Sequence, residues 1–388
     1  MITMRRQLLG LGIVAASSLL ALQAANAMSG PTAIQIDGGP LGPLQLSGGA
    51  DGYLYFVNPV TNGEDTGANV ANALIELQKT DGELQFTIEV GSNGGAIGLG
   101  SGGRPGQTSV TTFATGPLYA GYLTVAPTGT PFTISAGQIG SLEGYESGID
   151  WNNPSQIVTD IFEVQNSQSR GVSGNYTQGP LSVTVTFGDG FDTGVWNFIQ
   201  GLATYTINST NTATLYVAGN LGRTGNAARI YGGGSVGAYG TYYVNSDMVG
   251  GYYSYTMGNL SLVPEAQFVE AKPDAAIGIM HQTWNAGAAL FADYSLSSTS
   301  PYSVGGWVEY FDSHTSPADQ ANWFAGPNSE GVGFAVSPTW QYKDLFARVN
   351  AGYLYLLRNT TAGTKYGYGP SGTGRNTVDA SLEGGLLF

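Results

Sequence analysis

The feature that most constrains the fold of this chain is an alternation of apolar and polar residues with a period of two. In residues 84–90 and 181–187, Leu, Phe, Ile or Val occupies every second position and Gln, Thr, Glu or Ser occupies the others. Side chains of a β-strand point alternately to its two faces, so each segment forms a strand with one apolar and one polar face. The pattern recurs at 334–342, 349–355 and 378–388.

Turn residues divide the chain into strands of about ten residues, which is the length that crosses a membrane in a β-barrel. Seven connections are short and eight are long. If both chain ends lie on the side of the short turns, these fifteen connections join sixteen strands. Counts of 14 and 18 strands stay open. The short connections are 80–82, 127–131, 178–180, 208–211, 258–259, 297–301 and 343–344. The long ones are 57–70, 91–116, 140–170, 188–195, 219–247, 270–285, 312–331 and 358–376.

The charge content separates a membrane barrel from a soluble sandwich. Charged residues make up 10% of the chain, against about 25% in typical soluble domains. A sandwich also alternates, but one this long usually carries more surface charge. We therefore predict an all-β fold, a transmembrane antiparallel up-and-down β-barrel whose polar face lines a wet interior and whose closure leaves no sheet edge in lipid.

The N-terminus has the form of a secretory signal peptide, residues 1–27. Arg5 and Arg6 precede an apolar run at 8–22, and Ala-Asn-Ala at 25–27 supplies a cleavage site. The apolar run is too short to span a bilayer comfortably as a helix. We expect its removal.

The remainder, residues 28–388, is expected to form the barrel without a second domain. Loss of the two signal-peptide arginines changes the net charge from −14 to −16. Such a charge argues against nucleic acid as a partner. The chain has no cysteine, which excludes disulfides and thiolate chemistry.

Several segments carry a resemblance to a known family. LSGGADGYLYFVNP at 46–59, GGWVEYFDS at 305–313, SPTWQYKDLFARVNAGY at 337–353 and the terminal Phe388 resemble the OmpL-like outer-membrane β-barrel porins of Gram-negative bacteria. The resemblance spans essentially the whole mature chain. It implies a pore in the outer membrane.

The last strand resembles the terminal signal that the outer-membrane assembly machinery reads, which favours a final aromatic residue. It departs from that signal because Glu383 stands where a glycine is usual. The alternation predicts that Leu382, Leu386 and Phe388 face lipid, and that Ser381 and Glu383 face the lumen.

The third long connection, 140–170, is the candidate pore constriction. In many sixteen-strand porins the third loop folds into the lumen and narrows it, so the resemblance implies the same course here. Carboxylates at a constriction favour cations. The candidate residues are Glu143, Glu146, Asp150, Asp160 and Glu163, with Arg170 as the one opposing cation. A solvated outer loop is the alternative, and then strand acids such as Asp51 and Glu89 become the candidates.

Other motifs favour turns and loops over catalysis. Asp-Thr-Gly occurs at 65–67 and 192–194, but neither triplet is followed by the Ser or Thr usual in aspartic proteases. Residues 98–103 match a Gly-rich phosphate motif without a strand–helix context. His281 and His314 lack a nucleophile motif. We predict no enzyme, no cofactor and no metal.

The sequence therefore favours a passive outer-membrane channel for small hydrophilic solutes with a preference for cations. Its expected partners are outer-membrane lipid, the assembly machinery and the solutes, and a homo-oligomer is an open alternative. A non-conducting structural or adhesive barrel is the second hypothesis, and an outer-membrane hydrolase is the third.

Overall fold

A computed structural model of the chain describes residues 28, 30–60, 64–99, 117–166, 168–225, 242–319 and 321–388. Its main element is one antiparallel sheet. The strands are β1 Pro43–Asn58, β2 Thr66–Lys79, β3 Leu84–Asn93, β4 Leu118–Val125, β5 Phe132–Gly140, β6 Gln168–Gln178, β7 Leu181–Gly188, β8 Phe198–Asn208, β9 Asn211–Asn220, β10 Ser246–Met257, β11 Leu260–Ala271, β12 Thr283–Ser295, β13 Tyr302–His314, β14 Glu330–Tyr342, β15 Leu345–Arg358 and β16 Asn376–Leu387.

The sheet closes into a barrel of sixteen strands. Each strand pairs with its neighbours in sequence, and β16 pairs both with β15 and with β1. The closing register runs from Gly49 opposite Leu387 to Asn58 opposite Val378. The predicted architecture is confirmed, and the count is sixteen rather than 14 or 18. Seven short turns and eight long loops connect the strands, as predicted.

The remaining elements are short. A strand at Ile34–Asp37 pairs with the start of β1, and two-residue strands pair Ile97–Gly98 with Ile157–Val158 and Thr360–Thr361 with Thr364–Lys365. Single 3₁₀ turns lie at Gly39–Leu41, Asp150–Asn152, Phe162–Val164, Gly190–Asp192, Tyr243–Asn245 and Ala275–Ile277. Within the described residues, no helix has the length and apolar character needed to span a bilayer.

The period of two in the sequence matches the two faces of the sheet. On β16, Leu382 and Leu386 are 51% and 41% exposed on the outer surface, whereas Ser381 and Glu383 are buried on the inner one. Exposed Leu, Ile, Val and Phe cover the outer face of the other strands in the same way. An apolar exterior of this kind suits contact with lipid chains.

Leu387, which breaks the alternation of the last strand, points inward and packs with Phe346 and Met28. Phe388 follows the strand and is partly exposed. Its N–H donates to the Gly48 carbonyl at 2.9 Å, and the Gly48 N–H donates to the Phe388 carbonyl at 2.8 Å. The final residue therefore extends the seam that closes the barrel.

The inner face of the barrel carries more apolar side chains than the alternation predicts. The inner face of β15 carries Leu354 and Leu356, and that of β13 carries Phe311, and all three are completely buried. They form one apolar cluster with Ile157 and Ile161 of the third long loop. The expectation of a polar inner face throughout is wrong here, because a loop occupies the lumen and supplies apolar side chains that need apolar partners.

Candidate pore constriction

Loop 3, which we define as residues 141–167 between β5 and β6, lies inside the barrel. Its described side chains at Ile157, Val158, Ile161 and Val164 are at most 1% exposed. The wall strands that hydrogen-bond to it include β2, β8, β11, β13, β14, β15 and β16. Loop 3 therefore crosses the lumen and is fastened to the wall on several sides.

Polar wall side chains satisfy the backbone of loop 3. The indole Nε1 of Trp307 donates to the Ile157 carbonyl at 2.7 Å. The amide Nε2 of Gln267 donates to the Ile161 carbonyl at 2.6 Å. A buried carbonyl without a donor is costly, so these bonds fix the height and orientation of the loop.

Two inward glycines on the wall make room for loop 3. A Cβ atom on Gly287 of β12 would lie 2.0 Å from the Cγ2 atom of Ile161. A Cβ atom on Gly305 of β13 would lie 2.0 Å from the Pro154 carbonyl oxygen. Any larger residue at either position would displace the loop.

Arg348 is the central anchor. It lies on β15 opposite Glu383 of β16, and both side chains are completely buried. The guanidinium binds the carboxylate through two bonds, Nε to Oε2 at 2.8 Å and Nη2 to Oε1 at 3.1 Å. It also donates to two loop-3 carbonyls, those of Asn153 at 3.0 Å and Asp150 at 3.2 Å. One cation therefore joins two wall strands and the loop.

Asp150 also meets β1 and β2, which follow β16 around the closed barrel. Its carboxylate accepts hydrogen bonds from the Asn72 side-chain amide and from Gln156 Nε2 at 3.3 Å. Carboxylate oxygens of Asp51, Asp150 and Glu383 lie within 4.8 Å of one another, a spacing that a metal ion could bridge. Because Arg348 already supplies a positive charge to this group, the ion pair accounts for the arrangement.

Glu146 and Asp160, two further acids of loop 3, are also buried. The Glu146 carboxylate accepts from the Thr159 N–H, at 3.1 Å to Oε2, and from the Thr159 hydroxyl. The Asp160 N–H donates to Glu309 Oε2 on β13 at 2.9 Å. Both acids therefore help to shape and fasten the loop.

The remaining predicted residues have separate surroundings. Glu143 is buried and accepts from the Asn166 N–H at 2.7 Å. Glu163 is exposed. Arg170, the third residue of β6, forms an ion pair with Asp189 in the fourth loop.

Burial changes the charge that loop 3 carries. Loss of solvation raises the pKa of Glu143 and of Glu146 to about 8 each. It also raises the pKa of Asp150, with further contributions from Glu383 and Asp51. The same cause raises the pKa of Asp160, assisted by three neighbouring carboxylates. At neutral pH these acids therefore hold protons more readily than carboxylates in water.

The wall of β2 to β7 has a different character. Its inward polar residues hydrogen-bond mostly to one another, as in Thr124 with Ser135 at 2.7 Å and Asn175 with Thr184 at 2.8 Å. Glu76 of β2 stands directly opposite Glu89 of β3, and both are partly exposed. This pair places two acids at inward positions of β2 and β3, and Glu76 lies four residues along β2 from Asn72, which contacts loop 3.

The described parts of the motifs set aside in the sequence lie in the long connections or at strand ends beside them, and residues 100–103 of the Gly-rich motif lie outside the described residues. His281 contacts Asp319, with 3.2 Å between Nδ1 and Oδ2, and His314 stacks on Trp284. Asp192 lies in a 3₁₀ turn with φ of 53°.

Sequence reasoning missed Arg348, Glu309, Trp307 and Gln267 as determinants of the constriction. Each is an inward residue of an alternating strand, so the pattern gives its face. The pattern does not give the loop atom across the lumen that each one binds.

Two kinds of comparison identify relatives of this chain. The sequence model of the family described as "Putative beta-barrel porin-2, OmpL-like" matches residues 43–386. No curated protein matches the chain.

Solved structures share its fold at low identity. The anion-selective porin from Comamonas acidovorans is 14% identical, with a TM-score of 0.56 over 89% of this chain and 99% of that one. The outer-membrane channel DcaP of Acinetobacter baumannii is 11% identical, with a TM-score of 0.57 over 89% and 97%. OmpT of Vibrio cholerae is 10% identical, with a TM-score of 0.53 over 89% and 98%.

The family match covers most of the chain and includes all of β1 to β15 and nearly all of β16, which together make up the closed barrel. The solved porins support the same fold independently. The chain belongs to the OmpL-like β-barrel porin family of the outer membrane.

Proposed function

We propose that this porin is a passive diffusion channel for small hydrophilic solutes and that it favours cations. The observation that carries the proposal is loop 3 inside a closed barrel, fastened beside a polar wall that bears Glu76 and Glu89. Transport needs no chemistry in this mechanism: a solute crosses in water, and the width and charge of the remaining passage decide which solutes pass.

The cation preference rests on which acids reach water. We carry Glu143, Glu146, Asp150, Asp160 and Glu163 forward as constriction residues and add the wall pair. Of the loop acids, Glu163 is exposed, whereas the other four are buried. Exposed carboxylates in a narrow passage attract cations through a field that low-dielectric walls concentrate. We therefore assign most of the preference to Glu76, Glu89 and Glu163.

Planar-bilayer recordings under a salt gradient test the channel and its preference together. The parent is expected to conduct with a reversal potential on the cation side. The triple variant E76Q/E89Q/E163Q should move that potential toward the non-selective value while conductance changes modestly, since the side-chain volumes barely differ. The preference should also fade with salt, because the screening length falls from about 10 Å at 0.1 M to about 3 Å at 1 M.

Glu270→Gln, at the outer end of β11, is the matched control and should leave the reversal potential unchanged. A triple variant with the parent's reversal potential at low salt would contradict the assignment. Neutralising Glu143, Glu146, Asp150 and Asp160 would then show whether the buried loop acids act instead. A parent without conductance would contradict the channel itself.

We also propose that residues 1–27, which lie outside the described residues, are removed during export. Met28, the first residue of the expected mature chain, is 2% exposed and packs with Phe346 and Leu387. Intact-mass measurement of protein from outer membranes should give a chain that begins at Met28. Detection of Met1 on the mature protein would refute this.

Several copies of this barrel are also proposed to assemble into a homo-oligomer. One structure of in-vitro folded V. cholerae OmpT, 10% identical and with a TM-score of 0.51 over 89% of this chain and 99% of that one, is described as a trimer form. The assembly machinery and outer-membrane lipid are the other proposed partners, because the exterior of the barrel is apolar and β16 continues into an aromatic residue, Phe388, at the closing seam.

A further inference from the structure

Loop 3 meets β13 where the backbone of one buried acid, Asp160, hydrogen-bonds to the carboxylate of another, Glu309. Asp160 of the loop and Glu309 of the wall are 3% and 5% exposed. The Asp160 backbone N–H donates to Glu309 Oε2 at 2.9 Å. Asp160 Oδ2 and Glu309 Oε1 are both buried and have no hydrogen-bond partner among the described residues. Two unpartnered carboxylate oxygens at one contact leave the contact incomplete unless a proton is present.

No cation compensates this contact. Among the described residues, the ion pairs involve Arg348, Arg358, Arg170, Lys79, Lys272 and His281, and none of them includes Asp160, Glu309 or Glu146. The titratable groups that act on the pair from the surrounding elements are acids or tyrosines. They are Glu146 and Glu163 of loop 3, Asp379 of β16, Tyr243 of the fifth loop and Tyr368 of the last loop, with Glu265 of β11 acting on Glu146.

We propose that Asp160 and Glu309 form a proton-operated latch, which holds loop 3 against β13 when the pair carries a proton and releases the loop when both carboxyls are ionised. The proton removes one of two like charges and supplies the missing donor. Its loss leaves two buried negative charges that repel each other, and movement of the loop into water relieves the repulsion. The inference rests on the proposed channel function, because loop position then controls the width of the passage.

The sign of the pH dependence follows from linkage. Burial and the neighbouring carboxylates raise the pKa of Asp160, and burial raises the pKa of Glu146 to about 8. In a released loop these acids would titrate near their ordinary values of about 4. The docked loop therefore binds more protons than the released loop. Docking is strongest below about pH 4 and weakens as the pH rises toward about 8, by up to about tenfold per pH unit for each carboxyl that ionises.

Conductance as a function of pH is the first test. The parent should conduct more at about pH 9, where these acids have lost their protons, than at about pH 5, where they keep them. Glu309→Gln should reduce the rise, because the neutral amide can still accept the Asp160 N–H and carries no charge to repel Asp160, although Asp160 and Glu146 still titrate. Glu270→Gln should retain the parent's rise.

A reversible cross-link separates loop movement from a direct effect of charge on ions. The chain has no cysteine, and the Cβ atom of Ile161 lies 3.4 Å from the position of a Cβ on Gly287. This spacing is close to that of disulfide-linked residues. The variant I161C/G287C should lose the rise at high pH when oxidised and regain it when reduced. The single variant I161C should not respond to oxidation.

Several outcomes would overturn the latch: a parent with pH-independent conductance, an oxidised double-cysteine variant with an unchanged rise, or E309Q with the parent's rise. A measurement without conductance keeps the latch distinct from the channel function. The rate of disulfide formation at about pH 9 reports how much of loop 3 is docked. At this pH the variant I161C/G287C/E309Q should cross-link faster than I161C/G287C, because E309Q favours the docked loop. Equal rates would refute the latch even in a conducting protein. If the cross-linking rates differ but the protein does not conduct, the channel function is refuted and the latch is supported.

Discussion

Replacing Arg348 with methionine is expected to free one side of loop 3 and to destabilise the barrel. Methionine retains an apolar stem, but it leaves Glu383 buried without its bidentate partner and removes the donors to the Asp150 and Asn153 carbonyls. Removal of one member of a buried ion pair costs about 3–5 kcal/mol. The midpoint of chemical unfolding in detergent should fall, and single-channel conductance should rise and become noisier.

The double variant R348M/E383L separates the two roles of Arg348. It replaces the wall ion pair with apolar residues, which is often neutral or stabilising, so barrel stability should recover in part, while Asp51 and Asp150 still lack the cation. The loop carbonyls still lack their donors, so high conductance should persist. If R348M kept both the unfolding midpoint and the conductance of the parent, Arg348 would not be the anchor of loop 3.

Removal of Phe388 is expected to impair assembly far more than transport. The residue adds two backbone hydrogen bonds between the chain end and Gly48, at the seam where β16 meets β1. Its side chain lies outside the lumen-facing register, so the passage should be unaffected once the barrel has closed. We expect a several-fold loss of heat-resistant protein in outer membranes, measured by semi-native electrophoresis, with an unchanged conductance per inserted channel.

Two variants show which part of Phe388 matters. Phe388→Ala keeps the backbone bonds and removes the ring, whereas Phe388→Tyr keeps both. If the aromatic ring is the assembly signal, the alanine variant should resemble the deletion and the tyrosine variant the parent. Normal outer-membrane levels of the deletion variant would show that assembly needs neither the ring nor the backbone hydrogen bonds of Phe388.

The closed barrel and its strand count could be predicted because they depend on local patterns. An alternation such as that of residues 181–187 fixes two faces, and a turn such as 258–259 fixes where a strand reverses. Gly258 has a φ of 60°, a conformation that glycine adopts without strain and that a two-residue turn requires. Repetition of these two signals sixteen times leaves few alternatives to a barrel with an apolar exterior.

The inner surface was predicted less well because its partners are distant in sequence. Leu354 and Leu356 interrupt the polar face of β15, and they are explained only by Ile157 and Ile161, nearly 200 residues earlier. Asp51 points inward at a register shift between β1 and β2, and its Oδ1 accepts from the Asn72 N–H at 2.8 Å. Neither feature leaves a signal at its own position in the chain.

The sequence by itself predicted the fold class, a count of about sixteen strands with 14 and 18 open, and the acid-rich third loop, because composition and short-range periodicity encode all of these; the export signal at residues 1–27 stays a prediction. Only the tertiary structure decided which acids meet water and which meet other acids. Glu163 and Glu146 are both glutamates of one loop, but the first is exposed and the second is buried against Thr159. Charge in a pore depends on burial, and burial depends on atoms that folding brings together from across the lumen.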